Sequence, residues 1–470
     1  MSPPVIDPSP VSCLPFVFLI IMMAFLPMSC GWPKRLWEPN AGKAVGVAVL
    51  SFIVWMYYCI AFRLIGGPEA MLDQLIDWIN FVCLIGSLYI VAGGMYVDYD
   101  DVATPRLNTL ILAFGAILTN FTGTTGGCMI LIRPFVHINK ARLGQHHLAF
   151  FVMIIGNVSG VLTPLGDPPM FIGLLKGVPF LWMLQNPKIV GSWVMCVGAL
   201  LVAFFFWDLK SYRAHVSQTL NVERTMGEVR GGKLVFKGRS CIIGFIIIVI
   251  VVFLQGLPIY GTFELRYVNL IASSIYVVLS YVMRYHSGNL ENYELNQFSY
   301  GPLIEIVILF FGLFSTLAPV IGYLSFNANQ LNINKPWEFF WISGSLSAVL
   351  DNAPTYLTFA SLGSGLYNMS FNDPNQVAVL LTIPSFNNIL EAVSMGSVLF
   401  GACTYVGNAP NLLVKATVEH LIRNEGGYPQ GAVPNFLQYM AWVLPHLIPL
   451  FIIVTFIIGV LGCCGIARQV

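Results

Sequence analysis

The sequence predicts an all-α polytopic membrane protein built as an inverted-topology repeat. Its 470 residues are 57% hydrophobic and 10% charged, with a mean hydropathy of +0.76, whereas soluble domains carry roughly 25% charged residues. Two similar phrases, LTPLGDPPMFIG at 162–173 and CTYVGNAPNLLV at 403–414, interrupt long apolar stretches half a chain apart. Apolar segments of span length with paired interruptions favour this fold class.

The transmembrane segments follow from apolar runs of about 20 residues, the length that crosses a bilayer as a helix. Such runs lie near 12–30, 42–65, 75–96, 147–175, 189–207, 241–258, 266–284, 300–323, 385–416 and 436–463. About ten transmembrane helices are therefore expected, together with two re-entrant hairpins and two broken helices. Because no Lys or Arg precedes the first run, we interpret 12–30 as a retained helix and not as a signal peptide.

Two further apolar segments are interrupted at their centres by polar residues. Segment 107–136 carries TNFTGTTGG at 119–127, and segment 337–365 carries LDNAPT at 350–355. We interpret both as re-entrant hairpins with their tips at mid-membrane. Continuous kinked spans are the alternative, because hydropathy does not separate the two.

Each half then has the same order of three spans, a hairpin, a broken span and a last span. The predicted first repeat is 1–207, with hairpin 107–136 and broken helix 147–175, and the second is 241–470, with hairpin 337–365 and broken helix 385–416. The linker 208–240 is rich in Lys and Arg and is expected in the cytoplasm. Counting crossings from it places both termini outside, and a bacterial inner membrane is the expected location.

The two breaks are the first candidate site. A Gly-polar-x-Pro interruption frees backbone carbonyls and amides at mid-depth, which is tolerated only where they line a cavity or are covered by protein. Asp167 lies in the first break, and an ionisable residue inside a membrane is by default a functional hypothesis. A carboxylate beside unwound carbonyls suits sodium or a proton. The alternative is that Asp167 only caps the half-helix after it.

The hairpin tips complete the predicted site. Asp351 and Asn352 are aligned by repeat position with Thr119 and Asn120, and their oxygens could coordinate a cation or hydrogen-bond an anion. A hydrogen-bonded turn without ligand is the alternative. The expected ligands of a sodium ion are Asp167, Asn120, Asn352 and Asn408. The full set of expected ion- or substrate-binding residues is Thr119, Asn120, Thr122, Thr163, Gly166, Asp167, Asp351, Asn352, Thr355, Thr404, Gly407 and Asn408.

Other titratable residues in or near apolar segments are weaker candidates. Glu305 and Glu391 could relay a proton, or could lie near an interface or pair internally. His137, His146 and His147 lie in a stretch expected in the cytoplasm and are interpreted as loop histidines, with a pH sensor as the alternative.

The four motifs TNFTGTTGG, TPLGDPP, LDNAPTYLTF and TYVGNAPN resemble those of the ion transporter superfamily, over about residues 40–460. The nearest branch is that of NhaD-type sodium/proton antiporters and citrate-transporter-like proteins. The resemblance implies a mobile transport domain beside a scaffold that often dimerises. It assigns Asn120 and Thr122 to the first tip. The remaining positions that it assigns, in the first break, second tip and second break, are Thr163, Gly166, Asp167, Asn352, Thr355, Thr404, Gly407 and Asn408. Dicarboxylate symporters of the superfamily usually show Ser-Asn-Thr at both tips, and this chain does not.

These observations predict a secondary active transporter that works by alternating access, first of all a sodium (cation)/proton antiporter. A sodium-coupled carboxylate (citrate-like) or oxyanion transporter is the alternative. A remote alternative is an intramembrane aspartyl protease using Asp100 and Asp167. Since the chain has neither HExxH nor a nucleotide-binding loop, no enzyme is expected. The formal net charge of +1 gives no indication of nucleic acid. No cofactor is expected beyond transported Na⁺ and H⁺. The expected partners are the lipid bilayer, an inorganic cation or small anion, and a second copy in a homodimer.

Overall fold

The structure, a computed structural model, describes residues 8–26, 31–37, 39–64, 66–99, 103–219, 234–256, 265–296 and 298–466. Within these ranges the regular structure is helical except for β1 (Tyr96–Tyr99), which pairs antiparallel with β2 (Leu234–Lys237). Seven helices of the described ranges are long and apolar enough to cross a membrane. An eighth span results if Pro374–Leu380 and Pro384–Cys403, bent by 109°, are taken as one. The predicted all-α polytopic membrane protein is confirmed.

The helices follow the predicted order in both halves. Those of the first half are α1 (Leu14–Phe25), α2 (Trp32–Trp37), α3 (Asn40–Ala61), α4 (Gly67–Gly93), α5 (Pro105–Ile138), α6 (Gln145–Ile154), α7 (Pro168–Leu175), α8 (Trp182–Gln185) and α9 (Pro187–Thr219). Those of the second half are α10 (Arg239–Gln255), α11 (Leu265–Tyr285), α12 (Leu290–Leu295), α13 (Gly301–Asn327), α14 (Pro336–Ser347), α15 (Asn352–Gly365), α16 (Pro374–Leu380), α17 (Pro384–Leu399), α18 (Ala409–Glu425) and α19 (Phe436–Ile466). Six of the ten predicted runs are long helices, because α1 and α10 are short and the two broken helices are divided. The seventh long apolar helix is α5, which is the predicted first hairpin.

The helices pack as two groups. In one group, which we call the scaffold helices, α3 packs on α13, and α4 packs on both α11 and α13. In the other, the site helices, α14 and α15 pack on α17, and α5 packs on α9 and α18. The groups meet where α5 lies against α4 and α15 lies against α13. Both hairpins and both breaks thus belong to the site helices, and they face the scaffold helices.

The segment 105–138 reverses direction at its centre. Asn108 Nδ2 donates to Asn139 Oδ1 at 2.9 Å, although these residues would lie about 46 Å apart on one straight helix. The reversal is at Gly123, whose φ of 76° and ψ of 158° interrupt the helix. The second hairpin is α14 and α15, and it closes through Phe339 and Phe359, whose rings lie 6.5 Å apart. Continuous kinked spans are therefore not what the chain forms here.

The two breaks adopt the same local structure. Each has a short 3-10 turn, Val158–Val161 or Phe400–Cys403, and then an extended residue before the next helix. That residue is Asp167 (φ −148°, ψ 149°) in one break and Asn408 (φ −152°, ψ 142°) in the other. A proline in the first turn follows in both cases, where its missing N–H costs no hydrogen bond.

Candidate functional site

Asp167 lies at the centre of the site and is only 2% exposed. Its Oδ1 accepts hydrogen bonds from Thr124 Oγ1 at 2.8 Å and from Asn408 Nδ2 at 3.1 Å. Its Oδ2 accepts one from Asn352 Nδ2 at 2.6 Å. The donors come from the first hairpin, the second break and the second hairpin. One carboxylate therefore joins all four motifs that the sequence singles out.

Close backbone packing brings these elements together. A Cβ atom on Gly166 would collide with the carbonyl oxygen of Gly160, and one on Gly407 would lie 2.7 Å from the carbonyl oxygen of Gly401. The Gly166 carbonyl accepts a hydrogen bond from Thr124 N at 2.9 Å. Glycine at these positions lets each break fold tightly enough to place its polar residue beside the hairpin tip.

Two asparagines that the sequence reasoning missed or treated as minor orient the site. Asn157 Oδ1 accepts from Asn408 Nδ2 at 3.2 Å, and Asn157 Nδ2 donates to Asn411 Oδ1 at 2.7 Å. Both asparagines are fully buried. They tie the first break to the second and turn the Asn408 amide toward Asp167. The available signal was Asn157 itself, a polar residue in the apolar run IIGNVSG.

The break threonines fasten each hairpin to its own break. Thr163 Oγ1 donates to Asn120 O at 2.5 Å, and Thr404 Oγ1 donates to Ala348 O at 2.6 Å. Asn120 is therefore the structural counterpart of Ala348, three residues before each reversal. The counterpart of Asn352 is then Thr124.

This register corrects the predicted pairing of Asn120 with Asn352 and of Thr119 with Asp351. Thr124 and Asn352 each follow the reversal of their hairpin and each donate to Asp167. The Asn120 amide instead donates to Ala116 O at 2.8 Å. The sequence analysis aligned Thr119-Asn120 with Asp351-Asn352 because both dipeptides end in asparagine. The sequence alone does not show at which residue each hairpin reverses.

The remaining predicted residues lie close by without contacting Asp167. Thr119 Oγ1 donates to Ser159 Oγ at 2.7 Å. Thr122 and Thr355 donate to carbonyls of their own helices, at Leu118 and Asp351. These three hydroxyls hold the site helices in place, and a direct contact with Asp167 is not among their hydrogen bonds.

A cavity of about 300 Å³ lies between the hairpin tips and the scaffold helices. Asp351 and Thr125 line it from the tips, and Glu305 and Tyr89 line it from the scaffold. The Asp351 Oδ1 atom is buried and has no hydrogen-bond partner among the described residues. Among the described residues, the lining contains two acidic residues and no basic one. This composition favours a cation, or a ligand that brings a cation with it.

A second cavity of about 280 Å³ shares Tyr89 and Pro302 with the first and is lined by Arg133 and His420. The shared walls make the two cavities neighbours along one side of the first hairpin. A cavity lined by Arg133 and His420 thus adjoins one lined by Asp351 and Glu305.

The two glutamates that the sequence analysis considered as proton relays, Glu305 and Glu391, are both paired with lysines. Glu305 Oε1 lies 2.7 Å from Lys43 Nζ. Glu391 lies 3.1 Å from Lys188 Nζ and accepts from Asn186 Nδ2 at 2.5 Å. Internal pairing, one of the alternatives for both glutamates, is what the structure contains.

A buried polar cluster closes the ends of the first hairpin, and we name it the Asp208 cluster. Its members are Asn108, Asn139, Arg142, His146, His147 and Asp208. The Nε2 atoms of the two histidines lie 3.3 Å and 3.0 Å from Asp208 Oδ1. Gly144 N donates to His147 Nδ1 at 3.1 Å, so the His147 proton lies on Nε2. A metal ion would need that Nε2 lone pair, and Arg142 already pairs with Asp208. The cluster therefore fits a structural link better than a metal site.

A buried carboxylate held between two helix breaks, next to a cavity, is typical of a membrane transport protein. The chain belongs to the CitMHS_2 family, described as "Putative citrate transport", whose profile matches residues 7–458. A comparison with curated proteins found no match. Of the two branches named in the sequence resemblance, the match supports the citrate-transporter-like one and not specifically the NhaD-type antiporters.

Proposed function

We propose that the chain is a secondary active transporter that carries a small carboxylate of the citrate type together with a cation or proton. The observation that supports this most directly is the bonding of Asp167 by donors from both hairpins and the second break. A site assembled from both halves can be opened to either side by moving one group of helices against the other. The family's description supplies the carboxylate.

In this proposal Asp167 is the coupling group. Its carboxylate takes up either a proton or a hard cation such as sodium, since both bind carboxylate oxygen. Protons and the cation compete for the same atoms, so the apparent affinity for the cation falls as the pH is lowered. The substrate occupies the cavity at Asp351.

The acidic lining of that cavity sets a condition on the cargo. Asp351 and Glu305 would repel an unaccompanied carboxylate, while Lys43 offsets only Glu305. We therefore propose that a cation travels with the carboxylate or neutralises Asp351 first. The basic residues Arg133 and His420 of the neighbouring cavity would attract the anion.

Cation/proton antiport is the second candidate, because both acidic residues and no basic residue line the inner cavity. Reconstituted vesicles distinguish the two. Uptake of labelled citrate that rises with an imposed sodium or proton gradient supports the carboxylate proposal. Sodium-driven proton movement, followed with a pH dye in the absence of citrate, supports antiport.

A further inference from the structure

Helix α13 borders four cavities that follow one another along its length. The two cavities described above share Pro302. The larger of these two shares Leu313 with a much smaller cavity of about 10 Å³. A fourth cavity, of about 330 Å³, is bordered by α13 residues between Ala318 and Ser325. Since α13 rises about 35 Å from Pro302 to Ser325, the four cavities trace a path of membrane thickness between the scaffold helices and the site helices.

The first and last cavities of this path lie at opposite ends of α4. Asn296 lines the cavity at Arg133, and its Nδ2 donates to Met95 O at 2.6 Å, directly before β1. We call this end, where β1 pairs with β2, the linker end. The cavity of about 330 Å³ is lined by Asp77, which lies about 24 Å from Gly93 along α4. That cavity therefore lies at the opposite end, which we call the far end.

The path is blocked between the cavity at Asp351 and the far end. The smallest cavity lies there, and its lining among the described residues is apolar, with Ile172 and Leu357 from the site helices and Phe314 and Leu317 from α13. A buried water needs roughly 10–15 Å³ and two to four polar partners, so this part of the path is dry. Cavities therefore extend from the linker end as far as Asp351 and stop before the far end.

A buried ion pair lies directly behind this apolar barrier. Lys176 Nζ lies 2.5 Å from Asp77 Oδ2, and the two residues are 4% and 8% exposed. Lys176 follows α7 one turn after Ile172, and α7 packs on α15, whereas Asp77 belongs to α4 of the scaffold helices. The ion pair therefore joins the two groups of helices at the far end. Because α7 begins after Asp167 and ends before Lys176, one short helix connects the candidate ion site to this joint.

We propose that the Lys176–Asp77 pair and the apolar residues in front of it form the gate at the far end, and that the structure is the conformation open toward the linker end. This inference rests on the proposed function, because a carrier has to open its two ends in turn. Removing one partner of a buried pair leaves the other charge without its counter-ion. Such a change favours the opposite conformation, in which water reaches the remaining charge.

The test measures from which end a cysteine in the central cavity can be labelled. Val349→Cys is the reporter, because Val349 lines the cavity at Asp351 and is 47% exposed. A membrane-impermeant maleimide is added to sealed vesicles of each orientation, in which Ser287→Cys and Gln330→Cys mark the linker end and the far end. We expect Val349→Cys to react from the linker end. Labelling from the far end should be slow, since a minor conformation is typically populated at about 0.1–10%.

Asp77→Asn should raise the rate of labelling from the far end at least about tenfold, which is within the usual range of coupling between two states. Asp77→Leu with Lys176→Met removes both charges and should not raise it, because a packed apolar pair also keeps this end closed. The matched control is Lys188→Gln, which breaks the buried Lys188–Glu391 pair inside the site helices. It should leave labelling from both ends unchanged.

Equal labelling of Val349→Cys from both ends, or labelling from the far end alone, overturns the proposal. So does an unchanged rate from the far end in a monodisperse Asp77→Asn protein, or an equal rise in Lys188→Gln. If Asp77→Asn is not monodisperse, the Asp77→Leu, Lys176→Met variant decides, because faster labelling from the far end would contradict the gate. The readout is labelling and not transport, so a failure of citrate uptake would refute the cargo and leave these outcomes unaffected.

Discussion

The partners of Asp167 are all neutral. One hydroxyl and two amides donate to its two oxygens, from Thr124, Asn352 and Asn408. Three donors around one buried group lie within the acceptor capacity of a carboxylate and exceed that of an amide oxygen. Only a carboxylate at this position can therefore accept all three hydrogen bonds.

We expect Asp167→Asn to abolish gradient-driven citrate uptake while the protein still inserts. The asparagine cannot take up a proton, and its Nδ2 would face one of the three donors, leaving it without an acceptor at a cost of about 1–3 kcal/mol. Uptake in reconstituted vesicles and thermal unfolding in detergent measure the two effects.

Asp351→Asn should act in the same direction but less completely, since Asp351 lines the cavity and does not bond Asp167. Glu419→Gln is the matched control, because this carboxylate is partly exposed and pairs with Lys415 within α18. Wild-type coupling in the Asp167→Asn, Asp351→Asn double variant would refute the carboxylate mechanism.

At this scale the sequence predicted the central residues and not their contacts. Asp167, Asn352 and Asn408 were identified because polar residues inside apolar runs are costly. Thr124 appeared only as part of a small-residue tip, and Asn157 was not singled out. Which polar atoms meet depends on where each hairpin reverses, and hydropathy contains no such information.

Among the elements, the first hairpin depends most sharply on one position. Gly123 has φ 76° and ψ 158°, a region that is essentially restricted to glycine. A Cβ there would also lie 3.2 Å from the carbonyl oxygen of Leu165 in the first break. Both the turn and its contact with the break therefore require glycine.

Gly123→Ala should lower the stability by about 1–3 kcal/mol and reduce transport. The control is Gly191→Ala in α9, where an added Cβ meets nothing within 4 Å and where alanine favours the helix by up to about 1 kcal/mol. Thermal unfolding of both variants in detergent compares them. Equal melting temperatures for the two would show that the reversal is not strained by a side chain.

The Asp208 cluster joins the ends of that same hairpin to α9. Asp208 is fully buried and accepts from Asn108 and Arg142. Removing its charge leaves the Arg142 guanidinium buried without its counter-ion, a change that typically costs about 3–5 kcal/mol.

Asp208→Asn should therefore destabilise the protein strongly, as measured by its melting temperature and its yield as a monodisperse species. Glu291→Gln removes one partner of the exposed Lys237–Glu291 pair and should cost at most about 1 kcal/mol. Similar effects from both substitutions would contradict a structural role for the cluster.

In the whole molecule, two sets of loops lie at opposite ends. β1 pairs with β2, and Asn292 Nδ2 donates to Gly94 O at 2.9 Å, so the linker end and the segment after α11 lie together. Lys176, Ser325 and Asn372 line a cavity of about 330 Å³ at the other end. Which of the two ends faces the cytoplasm stays a prediction from the charge of the linker.

Cysteine labelling in oriented membranes should place Ser287→Cys in the cytoplasm and Gln330→Cys outside. Both positions are exposed; Ser287 follows the end of α11, and Gln330 follows the end of α13. The wild-type chain measures the background from its own cysteines. Labelling of both positions from one side would remove the basis for inverted repeats.

The fold could be predicted better than the contacts of the site, because the positions of membrane helices follow from the average hydropathy of segments of about 20 residues. Six of the eight predicted unbroken spans are long helices, although their ends differ, as in α9, which was predicted to end at 207 and ends at Thr219. The other two, α1 and α10, are shorter than a full span. The Lys176–Asp77 pair was not anticipated, since its partners are 99 residues apart and meet only through packing. The proposal that the cargo is a carboxylate comes from the family's description and not from any motif in the sequence.

The hydrogen bonding of Asp167 also has a kinetic consequence. Oδ1 already accepts two hydrogen bonds and Oδ2 accepts one, so an ion that takes more than the one remaining acceptor position on Oδ2 must replace Thr124, Asn352 or Asn408. Replacing Asn352 or Asn408 loosens a contact between the two halves, and replacing Thr124 loosens the contact between the first hairpin and the first break. The ion should accordingly bind more slowly than diffusion allows. The rate at which these hydrogen bonds rearrange, more than the rate at which the ion diffuses to the site, would then limit the turnover number of the transporter.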